Sequence, residues 1–215
     1  MKKFLAIIVL MLSISAQAQE QSNHLKFMGI PLDGKISSFN KELQKKGFML
    51  DELTGKRIGG TYIYNGYFAG EKAQVFVDYD EKSKIVYQAS AIIKHYTKEQ
   101  AISMYKEMRD MIETKYSQDE GVKFMQNIID KNAEKIKEEG ISPFEWKKTL
   151  EENGYETTMF FIPDINTTRG LIGLIRVYVR ETFSTITNSI NYNLFISYTD
   201  DQNEDMQRKN RIDDL

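Results

Sequence analysis

Apolar positions in the first part of the chain predict a strand, a turn and a helix in quick succession. The run from Leu25 to Leu32 is apolar enough for a short strand, and residues 31–34 have the composition of a turn. Ser37 is typical of an N-cap, and Gly47 of the left-handed residue that ends a helix. The apolar face of this predicted helix, with the residue that folds back onto it, comprises Phe39, Leu43 and Phe48.

Three further runs have strand-like composition or alternation, and short polar connections join them. They span Gly60 to Ala69, Ala73 to Tyr79 and Ile85 to Ile93. The side chains that would share one face of the third run are Ile85, Tyr87, Ala89, Ala91 and Ile93. Such short connections favour an antiparallel meander. Thr97, with a capping box to Gln100, then opens a helix, and a second helix is predicted from about Asp119 to Glu139.

The second half of the chain again predicts a helix followed by strands. Residues 142–145, Ser-Pro-Phe-Glu, combine an N-cap, a first-turn proline and a box-closing glutamate, so we predict a helix that ends at Gly154. The strand-like runs after it are Tyr155 to Ile162, Leu171 to Thr185 and Ile190 to Tyr198, with a turn at residues 187–189. The polar tail 200–215 is predicted to be either a short helix or frayed.

Spacing within two of the predicted helices suggests a duplication. The residues separated by the same intervals are Phe39, Leu43, Gly47 and Phe48 in the first and Trp146, Leu150, Gly154 and Tyr155 in the second. Two interpretations stay open: segments 25–116 and 119–199 are pseudo-repeats, each a helix plus a three-strand meander, or any amphipathic helix ending in glycine gives this spacing. Both predict a single α+β domain over residues 25–199, with antiparallel sheet packed against helices.

The first 18 residues predict export from the cell interior. Lys2 and Lys3 precede an apolar run, and Ala16-Gln17-Ala18 forms a cleavage site before Gln19, so we expect a signal peptide 1–18 and a polar leader 19–24. The protein would then work in the periplasm or be secreted. The chain has no Cys for a disulfide or a lipid, and no later apolar run approaches transmembrane length, so no membrane anchor is expected.

The charge balance excludes one class of partner. The chain has 29 basic and 31 acidic residues, which gives −2; without Lys2 and Lys3 the balance is 27 against 31, or −4. This balance provides no electrostatic footprint for nucleic acid. A content of 41% hydrophobic and 28% charged residues is typical of a globular protein with a packed core.

No residue pattern predicts a catalytic or metal centre. His24 in the leader and His95 at a strand end are the two histidines, and without Cys a transition-metal site would need carboxylates alone. Asp78, Asp80 and Glu81 resemble a fragment of a calcium loop without its downstream residues, so we interpret them as a charged hairpin turn. We therefore expect no cofactor and no metal, and assign no catalytic residue.

Aromatic and basic strand positions are the candidates for a binding surface. Tyr62 and Tyr64 would share one face of their strand. The basic and aromatic positions that would share one face of a later strand are Arg176, Tyr178 and Arg180. Cross-strand packing on a solvated sheet explains such patterns without any ligand. The functional alternative is a platform for a peptide or a glycan.

The segment HLKFMGIPLDGKISSFNKELQKKGF, followed by GTYIYNGYFAG, resembles a family of exported bacterial proteins of uncharacterised function that share this type of opening. The similarity covers mainly the first half of the chain. More distantly, the order of helix and meander is similar to the β-lactamase-inhibitor-like fold of the SmpA/OmlA outer-membrane assembly lipoproteins. The lipidated cysteine of that group is missing here, so the resemblance implies a fold but no anchor and no catalytic residues.

Three functions follow as expectations. The leading one is a non-enzymatic, exported binding module that uses a sheet face to hold a protein, a peptide or a glycan. The alternative is a hydrolase of envelope or dietary polysaccharide that uses two carboxylates from distant segments, which leave no local signature. A third is a structural role in an envelope assembly.

Overall fold

A computed structural model of the chain describes residues 24–51, 56–57, 60–95, 97–139, 142, 144–164, 170–185 and 188–212. The predicted signal peptide and residues 19–23 of the predicted leader lie outside this part. None of the described helices combines the length and apolar character needed to cross a lipid bilayer.

The described helices and strands follow the predicted order apart from four differences. Two segments differ in type from the prediction, the helix predicted over 119–139 is divided into Glu120–Lys131 and Ala133–Glu138, and the short strands Met49–Leu50 and Lys56–Arg57 were not predicted. The helices are α1 (Ile36–Lys45), α2 (Lys98–Tyr116), α3 (Glu120–Lys131), α4 (Ala133–Glu138) and α5 (Asp201–Ile212). The strands are β1 (Lys26–Phe27), β2 (Ile30–Pro31), β3 (Met49–Leu50), β4 (Lys56–Arg57), β5 (Thr61–Phe68), β6 (Glu71–Tyr79), β7 (Val86–His95), β8 (Lys147–Glu152), β9 (Tyr155–Pro163), β10 (Leu171–Ser184) and β11 (Ser189–Asp200). The predicted α+β class is confirmed.

Nine of the described strands form one antiparallel sheet. Its order is β3-β5-β6-β7-β11-β10-β9-β8, and β4 also pairs with β5. The sheet therefore contains two three-strand meanders, β5-β6-β7 and β9-β10-β11, which meet where β7 pairs with β11. That central pairing joins segments about 100 residues apart in sequence, and it makes the two meanders one continuous surface with two faces.

One face of this sheet carries the core. A continuous row of directly paired residues crosses it from β5 to β9, namely Tyr64, Val75, Ala91, Ile196, Val177 and Thr158, and each is 0% exposed. Helix α1 covers this face at one end, where the Tyr64 hydroxyl donates to Asn40 Oδ1. Helix α2 covers the other end, where Tyr105 Oη lies 2.7 Å from Thr158 Oγ1. The core is thus a layer between these two helices and one sheet face.

The C-terminal end of α1 confirms the prediction made for Gly47. Gly47 has φ +86°, its N–H donates to Gln44 O at 2.9 Å, and the N–H of Phe48 donates to Leu43 O at 3.1 Å. These two bonds define a Schellman ending. Phe48 and Leu43 are both buried, so the hydrophobic contact that accompanies this ending is present.

Replacing Gly47 with valine should lower the free energy of unfolding by about 1 kcal/mol or more, because a β-branched residue is strained at positive φ. Urea unfolding followed by circular dichroism measures the change. Gly47→Asn, which tolerates the left-handed region better, is the matched control and should lose less. An unchanged midpoint for Gly47→Val would contradict this account of how α1 ends.

The N-terminal end of α1 corrects the prediction made for Ser37. The helix begins at Ile36 after Lys35, and no side chain caps it. The N–H of Ile36 instead donates to Lys84 O at 2.8 Å, in the connection that precedes β7. A tertiary contact therefore fixes where this helix starts.

Two predicted elements are wrong in type. The run from Leu25 to Leu32 is a two-stranded hairpin, β1 and β2, whose turn residues Met28 and Gly29 both have positive φ. The predicted helix 142–154 is also wrong, because residues 147–152 form β8 and pair with β9. The turn between them is Asn153-Gly154, again with positive φ at both positions. The second meander therefore follows a strand instead of a helix. Of the predicted repeat of a helix plus a meander, the two halves share the three-strand meander but not the helix before it.

The start of β7 departs from the simple alternation predicted for it. The pairing of β6 with β7 shifts register between Asp78 and Tyr79, where a bulge places Val86 opposite Tyr79. Val86 is 0% exposed, whereas Tyr87 is half-buried. Ile85 and Tyr87 therefore do not share the face of Ala89, Ala91 and Ile93, as the alternation predicted.

A buried carboxylate ties the two ends of the described chain together. Asp200, which is 0% exposed, accepts hydrogen bonds from Leu25 N at 3.1 Å and from Asn203 N at 3.1 Å, the latter as the N-cap of α5. His24, expected in a solvated leader, donates to the same carboxylate from Nδ1 at 3.0 Å. This hydrogen bond is the main cause that raises the pKa of His24 above its usual value.

Candidate functional site

The sheet face opposite α1 and α2, here called the open face, presents polar and aromatic side chains. A row of directly paired residues crosses this face from β5 to β10, and each member is the sequence neighbour of a residue in the core row. The members are Asn65, Gln74, Ile92, Phe195 and Tyr178. Asn65 and Gln74 are exposed, and the other three are half-buried. The open face therefore keeps contact with solvent across its centre.

A broad groove of about 730 Å³ lies on one half of the open face. We call it the open-face groove, and its described lining is Gly47, Met49, Asn65, Gly66, Tyr67, Lys72, Ala73, Gln74, Ile92, Lys94, Thr182, Asn191, Asn193 and Phe195. Tyr67 is 60% exposed and Met49 71% exposed, so both offer apolar surface to a ligand. Among these described lining residues, none is acidic.

Basic side chains form one row, in which Lys72 and Lys94 line this groove and Arg180 lines a second, neighbouring hollow. Lys72 pairs with Tyr67 across β5 and β6, and Asn193 pairs with both Lys94 and Arg180 across β7, β11 and β10. Ala73 pairs with Ile93 in the antiparallel β6–β7 pair. Lys72, one residue before Ala73, therefore lies opposite Lys94, one residue after Ile93. We call Lys72, Lys94 and Arg180 the cationic row; all three are exposed.

A stacked aromatic pair separates the open-face groove from a second hollow. The rings of Tyr178 and Phe195 are 4.8 Å apart and only 5° from parallel. The Arg176 guanidinium lies 4.7 Å from the centre of the Tyr178 ring and donates to Glu152 at 2.5 Å. Burial raises the pKa of Tyr178, so its hydroxyl stays neutral at physiological pH. This pair forms a wall between the two hollows, in which the Tyr178 ring contacts both Phe195 and Arg176.

The second hollow, of about 370 Å³, contains two carboxylates and is more highly charged than the groove. Glu152 is bound to Arg176, and Glu181 accepts a hydrogen bond from the Tyr155 hydroxyl. Both carboxylates therefore have protein partners already. A glycosidase needs one carboxyl group to protonate the leaving oxygen and another to activate water or attack the sugar.

Hydrogen bonds between side chains stiffen the far side of the open face. Ser90 Oγ and Ser197 Oγ are 2.7 Å apart, and the Thr199 hydroxyl donates to Gln88 at 3.2 Å. Asp78 lies in the same region and accepts from the Thr61 hydroxyl. Burial raises the pKa of Asp78, an effect that this hydrogen bond partly offsets.

The five residues proposed for a binding surface divide into two groups. Tyr62 and Tyr64 lie on the core face, where Tyr64 is 0% exposed and Tyr62 stacks on Tyr79 with ring centres 5.6 Å apart. The assignment of Tyr64 to an exposed surface is therefore wrong, because α1 covers that face, and Tyr62 is half-buried on the same face. The residues that do lie on the open face are Arg176, Tyr178 and Arg180.

Most of the groove was not predicted from the sequence. Asn65, Lys72, Gln74, Lys94 and Asn193 come from four strands and share no local motif. The available signal was alternation: in β6, Lys72 and Gln74 are the polar partners of the apolar Ala73 and Val75. That signal places the polar residues on one face, but it does not reveal which strands lie side by side.

The groups considered for metal binding have structural partners or lie apart. Within the described residues, no three His, Cys, Asp or Glu side chains come together so as to hold a metal ion. Asp80 forms the predicted charged turn, since its carboxylate accepts from Ser83 N at 2.7 Å and from Asn210 Nδ2 at 3.1 Å. Burial lowers the pKa of His95 at the end of β7.

Comparison with protein-family models, with curated proteins and with solved structures found no match to this chain. The candidate site therefore rests on its own geometry.

Proposed function

We propose that the protein is a non-enzymatic binding module that holds its ligand in the open-face groove. The observation that supports this most directly is a groove on a sheet face whose described lining combines amides, lysines, the exposed Tyr67 ring and the half-buried Phe195 ring without a carboxylate. Ligand sites are typically concave, with apolar walls and a few polar groups that fix orientation. Export to the periplasm or beyond, predicted from residues 1–18, belongs to the same proposal.

Rigid support for the groove also favours binding. Its lining residues sit on strands of one continuous sheet, and the Tyr178–Phe195 stack closes one side. Sites built on strands keep their geometry more precisely than sites built on loops. A ligand would therefore lose little affinity to ordering of the protein.

The carboxylate-dependent hydrolase has weaker support. Catalytic carboxyl groups must reach the bond that is cleaved. The groove has no acidic residue among its described lining, and Glu152 and Glu181 in the second hollow have partners within the protein. Binding without cleavage is therefore the function we propose.

The proposal predicts that Tyr67 is a main contact. Fluorescently labelled protein is first applied to an array of oligosaccharides and extended decapeptides. Affinity for the best probe is then measured by titration calorimetry. Tyr67→Ala should weaken binding about tenfold, because an exposed aromatic ring at the groove edge would lose its contact area.

The matched control for this experiment is Phe124→Ala. Phe124 is 51% exposed on α3 and is not part of the described groove lining, so its removal should leave affinity unchanged. Equal affinity of wild type and Tyr67→Ala, together with an unchanged affinity of Asn193→Ala, would refute binding in the open-face groove.

A further inference from the structure

We infer that the ligand of the open-face groove is an acidic oligosaccharide, a sugar chain that carries carboxylate or sulfate groups. This inference rests on the proposed function and names the ligand class for the same groove. It follows from three features: the cationic row, the amide-rich lining and the geometry of the sheet.

Charge is the first feature. Lys72 and Lys94 face each other on adjacent strands, although like charges directly opposite each other destabilise a sheet. Arg180 extends the row beyond Asn193 into the second hollow, whose lining also contains Glu152 and Glu181. The chain as a whole has a net charge of −2, so this concentration of positive charge is local. An anionic ligand along the row would gain charge-assisted hydrogen bonds from its lysine and arginine side chains.

The amides are the second feature. Asn65, Gln74, Asn193 and the buried Asn191 line the groove. Asn65 Nδ2 already donates to Asp51 at 3.1 Å and Asn193 Nδ2 to the Thr182 hydroxyl at 2.8 Å, but an amide has two N–H donors and an acceptor oxygen, so each group keeps the capacity both to donate and to accept. Sugar hydroxyls have the same double capacity, so the two sets of groups are complementary. The exposed ring of Tyr67 adds a flat apolar surface against which the C–H face of a sugar ring can pack.

The sheet geometry is the third feature, and it favours a sugar over an acidic peptide. Strands β6, β7, β11 and β10 all lie inside the sheet, and their backbone groups are used in pairing. An extended peptide is most readily bound by adding a strand to a free edge. The edge strand β3 reaches the described lining only through Met49, whereas the lysines and amides of the lining all lie on inner strands. Strands are about 4.8 Å apart, so the cationic row spans roughly 15 Å from Lys72 to Arg180, enough for several sugar units.

The experiment uses the whole protein and three acidic probes: oligogalacturonate, a heparin-derived hexasaccharide and a hyaluronan hexasaccharide. A glucose hexasaccharide and an octapeptide of glutamate are the comparison probes. Binding is measured by titration calorimetry and by amide chemical-shift changes in a labelled sample. We expect at least one acidic sugar to bind at least tenfold more tightly than both comparison probes, with affinity that falls as NaCl is raised.

The variant Lys72→Gln/Lys94→Gln should weaken binding of that sugar at least tenfold. Its matched control, Lys41→Gln/Lys123→Gln, removes two exposed lysines from α1 and α3 and should bind as wild type. Circular dichroism of each variant confirms that it is folded. Both pairs change net charge equally, so a difference between them isolates the groove.

Several outcomes would overturn the inference. It fails if no acidic sugar binds, if the glutamate peptide binds more tightly than every acidic sugar, or if the Lys72/Lys94 variant binds an acidic sugar as wild type does. The proposed function survives when the glucose oligomer or the peptide shifts the amide signals of groove residues such as Asn65 and Asn193. The proposed function itself is refuted if every probe that binds shifts only the amide signals of residues outside the groove.

Discussion

Replacing Asp200 with alanine should lower the free energy of unfolding by about 3 kcal/mol. The substitution removes the N-cap of α5, worth about 1 kcal/mol, and leaves the buried N–H of Leu25 without an acceptor, which costs about 1–3 kcal/mol. It also removes the partner of His24. Urea unfolding followed by circular dichroism gives the difference from wild type.

Asp201→Ala is the matched control for this change. Asp201 is the next residue and is exposed, so its removal should alter stability by no more than about 0.5 kcal/mol. Asp200→Asn, which keeps one acceptor oxygen, should fall between wild type and Asp200→Ala. Similar unfolding midpoints for Asp200→Ala and Asp201→Ala would contradict the role given to this carboxylate.

The same contact predicts how stability depends on pH. The hydrogen bond to Asp200 raises the pKa of His24 in the folded state, so protonated His24 stabilises the fold. This contribution is complete below about pH 6.5, the ordinary histidine value, and is lost as pH rises through the higher pKa of the folded state. The loss of stability that His24 causes as pH rises above about 6.5 should be missing in Asp200→Ala.

Replacing Gly66 with alanine should destabilise the protein by about 2 kcal/mol. A Cβ atom at this position would lie 2.7 Å from Cε1 and Cγ of Phe48 and closer still to Cδ1. Phe48 is only 1% exposed and is fixed by the end of α1, so its ring has little room to move. Overpacking a core in this way typically costs about 1–3 kcal/mol. Thermal and urea unfolding both report the loss.

A double-mutant cycle isolates the cause of this effect. Phe48→Leu makes space beside residue 66, so Gly66→Ala should cost less in the Phe48→Leu background than in wild type. Gly34→Ala is the control, because a Cβ on Gly34 meets nothing within 4 Å. If the cost of Gly66→Ala were the same in both backgrounds, contact with Phe48 would not be its origin.

Local signals in the sequence predicted the elements that depend on neighbouring residues. Gly47 and Phe48 predicted the end of α1 because a Schellman ending involves only the last turn and the two residues after it. The start of α1 was missed by two residues because a hydrogen bond from Ile36 to Lys84, in a distant segment, fixes it.

The failed helix shows two local signals in competition. Residues 142–145 have a good helix start, but Asn153-Gly154 is also among the strongest short signals for a hairpin turn. In the fold the hairpin prevails because β8 pairs with β9 and Tyr155 lies in the core. An Asn-Gly pair between two strand-like runs therefore predicts a hairpin turn more strongly than the glycine alone predicts the end of a helix.

The candidate site was predicted less well than the fold. Alternation shows that Tyr62 and Tyr64 share a face, but which face the helices cover depends on tertiary packing. Lys72, Lys94 and Arg180 come together through the β6–β7, β7–β11 and β10–β11 pairings, and no local motif specifies the β7–β11 pairing. The family resemblance of the first half stays a prediction, since no comparison tests it.

The central position of the β7–β11 pair also determines when the chain is most exposed to aggregation. Until these strands meet, each meander has a long edge of unpaired backbone groups, Val86–His95 in one and Ser189–Asp200 in the other. Such edges can pair with strands of other chains. In most sheets this hazard lies at the outer strands of the native state. Here it is greatest in partly folded chains, at two strands that the finished protein buries in its middle.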